Sequence, residues 1–195
     1  MIDFLYGIDR SVFFFIHLVL RNDILDAVMP FLTNLNQMTG GRVFFIAVGV
    51  LLLAVGGRTG RIVVLALVLT ITVSDQLSST LIKSVVQRER PCHVLPDVRP
   101  LVDCGSGKSF PSSHAVNMFA AAAVFAYGYR RWTWVFYTLA GVIAFSRVYV
   151  GVHYPSDAAG GAVIGVLIGL GMVYIIRYIE KLIPGKRGVE EKKAQ

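Results

Sequence analysis

The sequence predicts an all-α integral membrane protein: a helical bundle with five or six transmembrane helices and interfacial helices at its N-terminus. Of its 195 residues, 55% are hydrophobic and only 16% are charged, against roughly 25% charged residues in a typical soluble domain. Apolar runs of the length that a bilayer requires, about 20 residues, recur along the chain. The charges gather at the ends of these runs. Together these observations exclude a disordered chain and an ordinary soluble domain.

Five apolar runs form the predicted transmembrane core, residues 41–183, which a solvated tail follows at 184–195. The runs are 42–55, 62–86, 115–129, 132–150 and 158–178. The second run contains Asp75 among several serines. Because a carboxylate is costly in lipid, Asp75 is expected to face the bundle interior and to have a structural role. Small residues of the last run predict close helix contacts, within the chain or in a dimer. They are Gly160, Gly161, Gly165, Gly169 and Gly171.

Residues 1–40 differ from the rest, because their apolar stretch 12–20 is too short to span a bilayer and polar residues follow it. We predict two amphipathic interfacial helices here. The alternative is a sixth span over 4–20, which Asp9, Arg10 and His17 disfavour. Early Asp3 and the lack of a small-residue cleavage site argue against a secretory signal peptide.

The distribution of lysine and arginine predicts the orientation of the five spans. The net charge is +7, and basic residues that flank spans account for it without a nucleic-acid partner. Threading the spans alternately places ten Lys and Arg on one side and seven on the other. The richer side is predicted to be cytoplasmic. The loop 87–110 and the turn 146–157 then share the opposite, exoplasmic face.

Three segments on that face carry residues suited to binding phosphate. Lys83 and Arg90 stand seven residues apart and can neutralise one anion. Snorkelling of basic side chains at the interface is the simpler explanation of this pair alone.

Ser112 and Ser113 precede an apolar helix, whose first N–H groups and dipole favour an anion, and His114 can donate a proton there. An ordinary serine N-cap explains the serines equally well.

The third segment runs from Ser146 to Asp157 and contains a histidine followed four residues later by an acid. Pro155 is a natural first residue of the last helix, which places His153 and Asp157 close enough for a hydrogen bond. A carboxylate on one imidazole nitrogen leaves the other free to attack phosphorus, with Arg147 available for the developing charge. A structural His–Asp pair is the alternative. The spacing of His, Cys and acidic residues supports no metal site or cofactor.

These three blocks resemble the signature of the phosphatidic acid phosphatase type 2 family: Lys-x6-Arg-Pro, Pro-Ser-Gly-His and Ser-Arg-x5-His-x3-Asp. Every fixed position of that signature is matched between residues 83 and 157 except one, because Ser113 stands where the family has glycine.

The resemblance implies a metal-independent lipid phosphatase that works through a phosphohistidine. It makes His153 the nucleophile, Asp157 its orienting partner and His114 the acid for the leaving group. The residues that would bind the phosphoryl oxygens are Lys83, Arg90, Arg147, Ser112 and the backbone N–H of Ser113.

Several alternatives stay open from the sequence alone. The favoured substrates are undecaprenyl pyrophosphate and lipid A phosphate, and phosphatidylglycerophosphate and phosphatidic acid are the others. A lipid phosphotransferase and a non-catalytic carrier of anionic lipids are the rival functions. Cys92 and Cys104 flank one polar loop and can form a disulfide or remain free thiols. Three loop residues can recognise a second phosphate or simply be solvated: Arg88, Arg99 and Lys108.

Overall fold

The computed structural model describes residues 2–182, and every regular element in that range is helical. The predicted tail 184–195 lies outside the described residues. The helices are α1 (Ile2–Phe14), α2 (Asp23–Asn34), α3 (Thr39–Val55), α4 (Gly57–Gln76), α5 (Lys83–Val86), α6 (Pro91–Val94), α7 (Ser113–Gly128), α8 (Thr133–Tyr149) and α9 (Pro155–Leu182). Two π-helical segments, Phe15–Val19 and Leu77–Ile82, extend α1 and join α4 to α5. The all-α prediction is confirmed, and each of the five apolar runs lies largely within a helix.

By length and composition, fewer helices qualify as membrane spans than the five or six predicted. Two helices of the described chain are long and apolar enough to cross a membrane, Gly57–Val94 and Pro155–Leu182. A third candidate arises if α2 and α3, bent by 55° at their junction, count as one span. Helices α3, α7 and α8 have only 16 or 17 residues. The helix over the alternative sixth span is not among the candidates.

Helix α7 is the centre of the bundle and packs against α4, α8 and α9. Its contact with α9 is close because glycines on α9 face alanines on α7. A Cβ on Gly165 would lie 2.3 Å from the carbonyl oxygen of Val116, and one on Gly169 would lie 2.6 Å from the Ala123 side chain. The predicted close approach therefore occurs within the chain. Gly171 does not contribute, since its Cβ position is open.

The N-terminal helices pack against the bundle on one face and expose apolar residues on the other. Asn22 begins α2 by accepting the N–H of Leu25 at 3.0 Å, which is typical of an N-cap. Met29 is buried against the α8–α9 turn, whereas Ile24 on the same helix is 74% exposed. His17 is fully buried, and its Nδ1 lies 2.7 Å from the carbonyl oxygen of Tyr149. Part of the region predicted to be only interfacial is therefore built into the bundle.

We expect Gly165→Ala to lower the thermal unfolding midpoint in detergent, by the equivalent of about 1–3 kcal/mol of overpacking. Gly171→Ala on the same helix is the matched control and should leave the midpoint unchanged or raise it, because alanine favours helix where space is open. Equal midpoints for the two variants would contradict the close α7–α9 contact.

Candidate active site

A cavity of about 290 Å³ lies where α5, α7, α8 and the polar loop meet. It brings together residues of all three sequence blocks, which are up to 70 positions apart in the chain. The predicted site residues that line it are Lys83, Arg90, Ser113, His114, Arg147 and His153. Three of them are positively charged, and Asp103 is the acidic residue in the described lining. The cavity is therefore suited to a small anion.

His153 lies two residues before the start of α9, and Asp157 lies in the first turn of α9. Both are almost completely buried. Nδ1 of His153 is 3.5 Å from Oδ2 of Asp157, which is longer than a hydrogen bond. The two side chains are thus adjacent, but the predicted hydrogen bond is not formed. Long catalytic contacts of this kind are common before substrate binds. Because Nδ1 points to the carboxylate, Nε2 is the nitrogen available to the cavity.

Burial lowers the pKa of His153 to about 4, because desolvation disfavours the charged imidazolium. The carboxylate of Asp157 opposes this shift, and the guanidinium groups of Arg147 and Arg90 add to it. His153 is therefore neutral at neutral pH, which is the form that can act as a nucleophile.

Asp157 is fixed by donors from three parts of the chain. Its Oδ2 accepts the hydroxyl of Ser109 at 2.5 Å and the backbone N–H of Tyr154 at 2.8 Å. Its Oδ1 accepts Nη1 of Arg88 at 2.8 Å. A carboxylate with this many donors stays ionised and has a fixed orientation.

The two cations of the first block, Lys83 and Arg90, are positioned in different ways. Lys83 begins α5 directly after the π-helical segment, and such segments occur often at functional sites because they shift the register of a helix. Arg90 follows in the loop, where its Nη1 donates to the carbonyl of Cys104 at 2.6 Å and its Nε donates to that of Gly107 at 2.8 Å. A disulfide joins Cys92, two residues after Arg90, to Cys104, whose carbonyl accepts the Arg90 hydrogen bond.

The middle block places Ser113 and His114 in the first turn of α7. Ser113 shares its hydroxyl with Ser78 and Ser79 at 3.2 and 3.3 Å. Ser112 does not line the cavity. Its side chain is buried without a hydrogen-bond partner among the described residues, and its backbone N–H donates to the carbonyl of Asp157 at 3.1 Å. Ser112 thus connects the middle block to the third one.

Arg147 is buried in α8, and its Nη1 donates to the hydroxyl of Thr33 on α2 at 2.7 Å. Its Nε is buried and has no partner in the described part of the chain, and the same holds for Nε2 of His114. Buried polar groups of this kind normally have a partner. Their place beside the cavity supports an anionic ligand.

The three loop residues considered for a second phosphate lie elsewhere. Arg88 is turned away from the cavity and binds Asp157 and Asp9. Lys108 is paired with Glu89. Arg99 is exposed and does not line the cavity. In this conformation none of the three therefore supplies a cation for a second phosphate.

An apolar groove of about 440 Å³ adjoins the cationic cavity and shares Ser113 and His114 with it. Helices α2, α3, α4, α7 and α8 form its walls. Asp75 lies in this groove, where its Oδ1 is 3.4 Å from both Nδ2 of Asn117 and the hydroxyl of Ser79. Asp75 is exposed to this groove rather than buried in the bundle interior as predicted, and it lines a wall beside His114. The apolar residues of the groove are Leu32, Leu35, Phe44, Phe45, Met118, Leu139 and Ile143.

Sequence reasoning missed Asp9, Thr33 and Ser109, which contact Arg88, Arg147 and Asp157. Asp9 and Thr33 belong to the N-terminal region, which was predicted to lie at the membrane interface. Asp9 gave a signal, because an acid within an apolar helix requires a partner. The partner itself is decided only by the fold.

The profile of the PAP2 superfamily matches residues 59–181, more than half of the chain. The chain belongs to the PAP2 superfamily. It is 38% identical to the lipid A 4'-phosphatase of Bacteroides thetaiotaomicron over 109 residues, which are 52% of this chain and 48% of that protein. It is 30% identical to undecaprenyl-diphosphatase BcrC of Bacillus subtilis over 152 residues, or 76% of this chain and 74% of that one.

A PAP2-type phosphatidylglycerolphosphate phosphatase from Bacillus subtilis has the same fold in its crystal structure. Its TM-score is 0.70 at 22% identity, and the alignment covers 90% of this chain and 87% of that one. The chain spans about half the length of several of the curated relatives that it matches.

We expect loss of the disulfide to weaken binding of inorganic phosphate about tenfold, because Arg90 would lose the loop carbonyls that orient its guanidinium. The measurement is calorimetric titration of phosphate into the detergent-purified protein before and after reduction, and into the variant with Cys92→Ser and Cys104→Ser. Reductant should have no further effect on that variant. Unchanged phosphate binding after reduction would contradict the role of this loop.

Proposed function

We propose that this PAP2 protein is a membrane phosphatase that removes a phosphoryl group from a lipid monoester through a phosphohistidine intermediate. The favoured substrate is a phosphorylated saccharolipid of the lipid A type. One observation carries the proposal: the cationic cavity and the apolar groove meet at Ser113 and His114. A phosphate bound by the cations would thus leave its lipid beside the groove.

The reaction has two balanced steps. Nε2 of His153 attacks phosphorus, and the bond to the lipid oxygen breaks as the new P–N bond forms. His114 protonates the departing oxygen. Water then attacks the phosphohistidine with His114 as the base, the P–N bond breaks, and inorganic phosphate and free His153 result. Lys83, Arg90 and Arg147 stabilise the charge on the phosphoryl oxygens in both steps.

Asp75 favours a sugar over a phosphate on the leaving-group side. Its carboxylate lines the groove beside His114, together with Asn117. The hydroxyl and amide groups of a saccharolipid can donate hydrogen bonds to these residues, whereas the leaving group of a lipid diphosphate is an anion that Asp75 repels. Undecaprenyl diphosphate is the second candidate, because the alignment with BcrC covers about three quarters of both chains.

The membrane arrangement that we propose has five spans, formed by α3, the continuous helix from α4 to α5, α7, α8 and α9. A helix of 17 residues, such as α3 or α8, is about 25 Å long, so the shorter ones cross if aromatic and charged residues at their ends occupy the interface. Large apolar side chains face outwards on these helices, among them Val43, Leu51, Leu65, Trp134 and Leu167. The excess of lysine and arginine at the opposite end supports an active site on the periplasmic side of the inner membrane.

We expect the full-length protein in detergent with EDTA to release phosphate from lipid A, and His153→Ala to reduce the rate by more than about a thousandfold, as the loss of a covalent nucleophile does. Undecaprenyl diphosphate and phosphatidylglycerophosphate are assayed in parallel. His93→Ala is the matched control, since His93 is exposed on α6 and does not line the cavity.

Acid-labile phosphate on wild type, but not on His153→Ala, would identify the intermediate. No release from any lipid would contradict the hydrolase and favour a carrier. Transfer of the phosphoryl group to an added lipid, without free phosphate, would favour a transferase.

We expect Asp75→Asn to lower kcat/KM for lipid A about tenfold, the effect of one hydrogen bond to a charged group, and to leave hydrolysis of undecaprenyl diphosphate unchanged or faster. Asp97→Asn, in the exposed loop, should affect neither. The assignment of Asp75 to substrate selection is wrong if both lipids lose the same factor.

A further inference from the structure

Asp9 on α1 lies against the first turn of α9, although 147 residues separate it from Ser156. Its Oδ1 accepts the backbone N–H of Ser156 at 2.9 Å, and its Oδ2 accepts the hydroxyl of the same residue at 2.5 Å. A carboxylate in this position satisfies a free N–H and interacts favourably with the helix dipole. The side chain of Asp9 is only 10% exposed.

Arg88 lies between Asp9 and Asp157 and binds both. Its Nη2 donates to Oδ2 of Asp9 at 2.6 Å, and its Nη1 donates to Oδ1 of Asp157 at 2.8 Å. The guanidinium also lies over the ring of Tyr154, 4.0 Å from its centroid. The Arg88 side chain is 14% exposed, so water screens these charges weakly.

We propose that Asp9 is a positioning residue that acts through Arg88 on Asp157, and thereby on the nucleophile His153. The inference rests on the proposed function, which gives His153 that role. Asp9 lies outside the three sequence blocks, and its side chain does not line the cationic cavity.

The physical reason is that one guanidinium is shared by two carboxylates. When His153 attacks phosphorus, positive charge develops on its ring, and Asp157 must stabilise it. Arg88 competes for the charge of Asp157. Because Arg88 also binds Asp9, its interaction with Asp157 is weaker. Asp157 can therefore interact more strongly with the ring of His153. Loss of the negative charge at Asp9 would commit Arg88 to Asp157 and make the imidazolium less favourable.

Two substitutions should therefore shift the pKa of His153 in opposite directions. Asp9→Asn should lower the pKa of His153, and Arg88→Gln should raise it, because Asp157 would then serve His153 alone. Loosening of the fold around His153 would instead raise its pKa towards 6.5 in both variants. The charged and titratable groups around His153, Asp157 and Arg88 are Tyr6 and Asp9 on α1, Lys83 on α5, Arg90 and Asp103 on the loop, His114 on α7, Arg147 on α8, and Tyr154.

The experiment is an NMR titration of the full-length protein in detergent with ¹⁵N-labelled histidine. His153→Gln assigns the His153 signal among the four histidines. We expect a lower pKa in Asp9→Asn, a higher one in Arg88→Gln, and the Arg88→Gln value in the double variant. In activity assays, kcat of Asp9→Asn should fall about tenfold with KM unchanged, since Asp9 acts on a supporting residue and touches no lipid.

Asp26→Asn is the matched control. Asp26 also belongs to the N-terminal region, pairs with Arg21 at 3.0 Å and accepts the hydroxyl of Tyr149 at 2.7 Å. Asp26 contacts the end of α8 and does not contact Arg88, so its replacement should leave the pKa of His153 unchanged. Asp9→Glu retains the charge and should keep the wild-type pKa and most of the activity.

The proposal would be overturned if Asp9→Asn left the pKa of His153 unchanged or raised it. It would also be overturned if Asp9→Asn shifted that pKa equally in the presence and in the absence of Arg88. If Asp9→Asn does not fold, a pKa that fails to rise in Arg88→Gln would overturn it equally. The titration requires no lipid. A wild type that releases no phosphate would therefore contradict the proposed function, while the titration still decides the role of Asp9.

Discussion

The close contact between α7 and α9 is the constraint on which the site depends. Gly161 and Gly165 leave no side chain between the helices, and a Cβ on either would come within 3 Å of α7. Since lipid is as apolar as the side chains, tight van der Waals packing rather than the hydrophobic effect holds such helices together. Only at this separation can the N–H of Ser112 reach the carbonyl of Asp157 at 3.1 Å. The second and third sequence blocks thus become one site.

The cationic cavity is organised so that its charge remains available to an anion. Lys83, Arg90 and Arg147 repel one another, and neutral acceptors orient the arginines: loop carbonyls for Arg90 and a hydroxyl for Arg147. The buried carboxylate of Asp157 is engaged by Arg88 instead. Donors fixed in advance around a developing charge need little reorganisation during reaction, which is how an enzyme stabilises a phosphoryl transition state.

The N-terminal helices support this arrangement from outside the three sequence blocks. Thr33 holds Arg147, His17 lies under the backbone of Tyr149, and Asp9 reaches Arg88 and the start of α9. These contacts give residues 2–34 a part in orienting groups that face the cavity. Leu32 and Thr33 of α2 also line the apolar groove, so the region that orients groups at the cavity also shapes the groove beside it.

The sequence by itself determined the all-α membrane class, the helices and most of the residues that line the cavity, because apolar run length and the spacing of charged residues are local properties. It did not determine that Arg88 turns from the cavity to Asp157, that Ser112 connects the second and third blocks, or that Asp75 lines an apolar groove. Nor did it reveal Asp9 and Thr33 as partners. Those facts depend on which surfaces meet when α1, α2, α4, α7 and α9 pack together, and partners more than 40 residues apart leave no periodic signal in the chain.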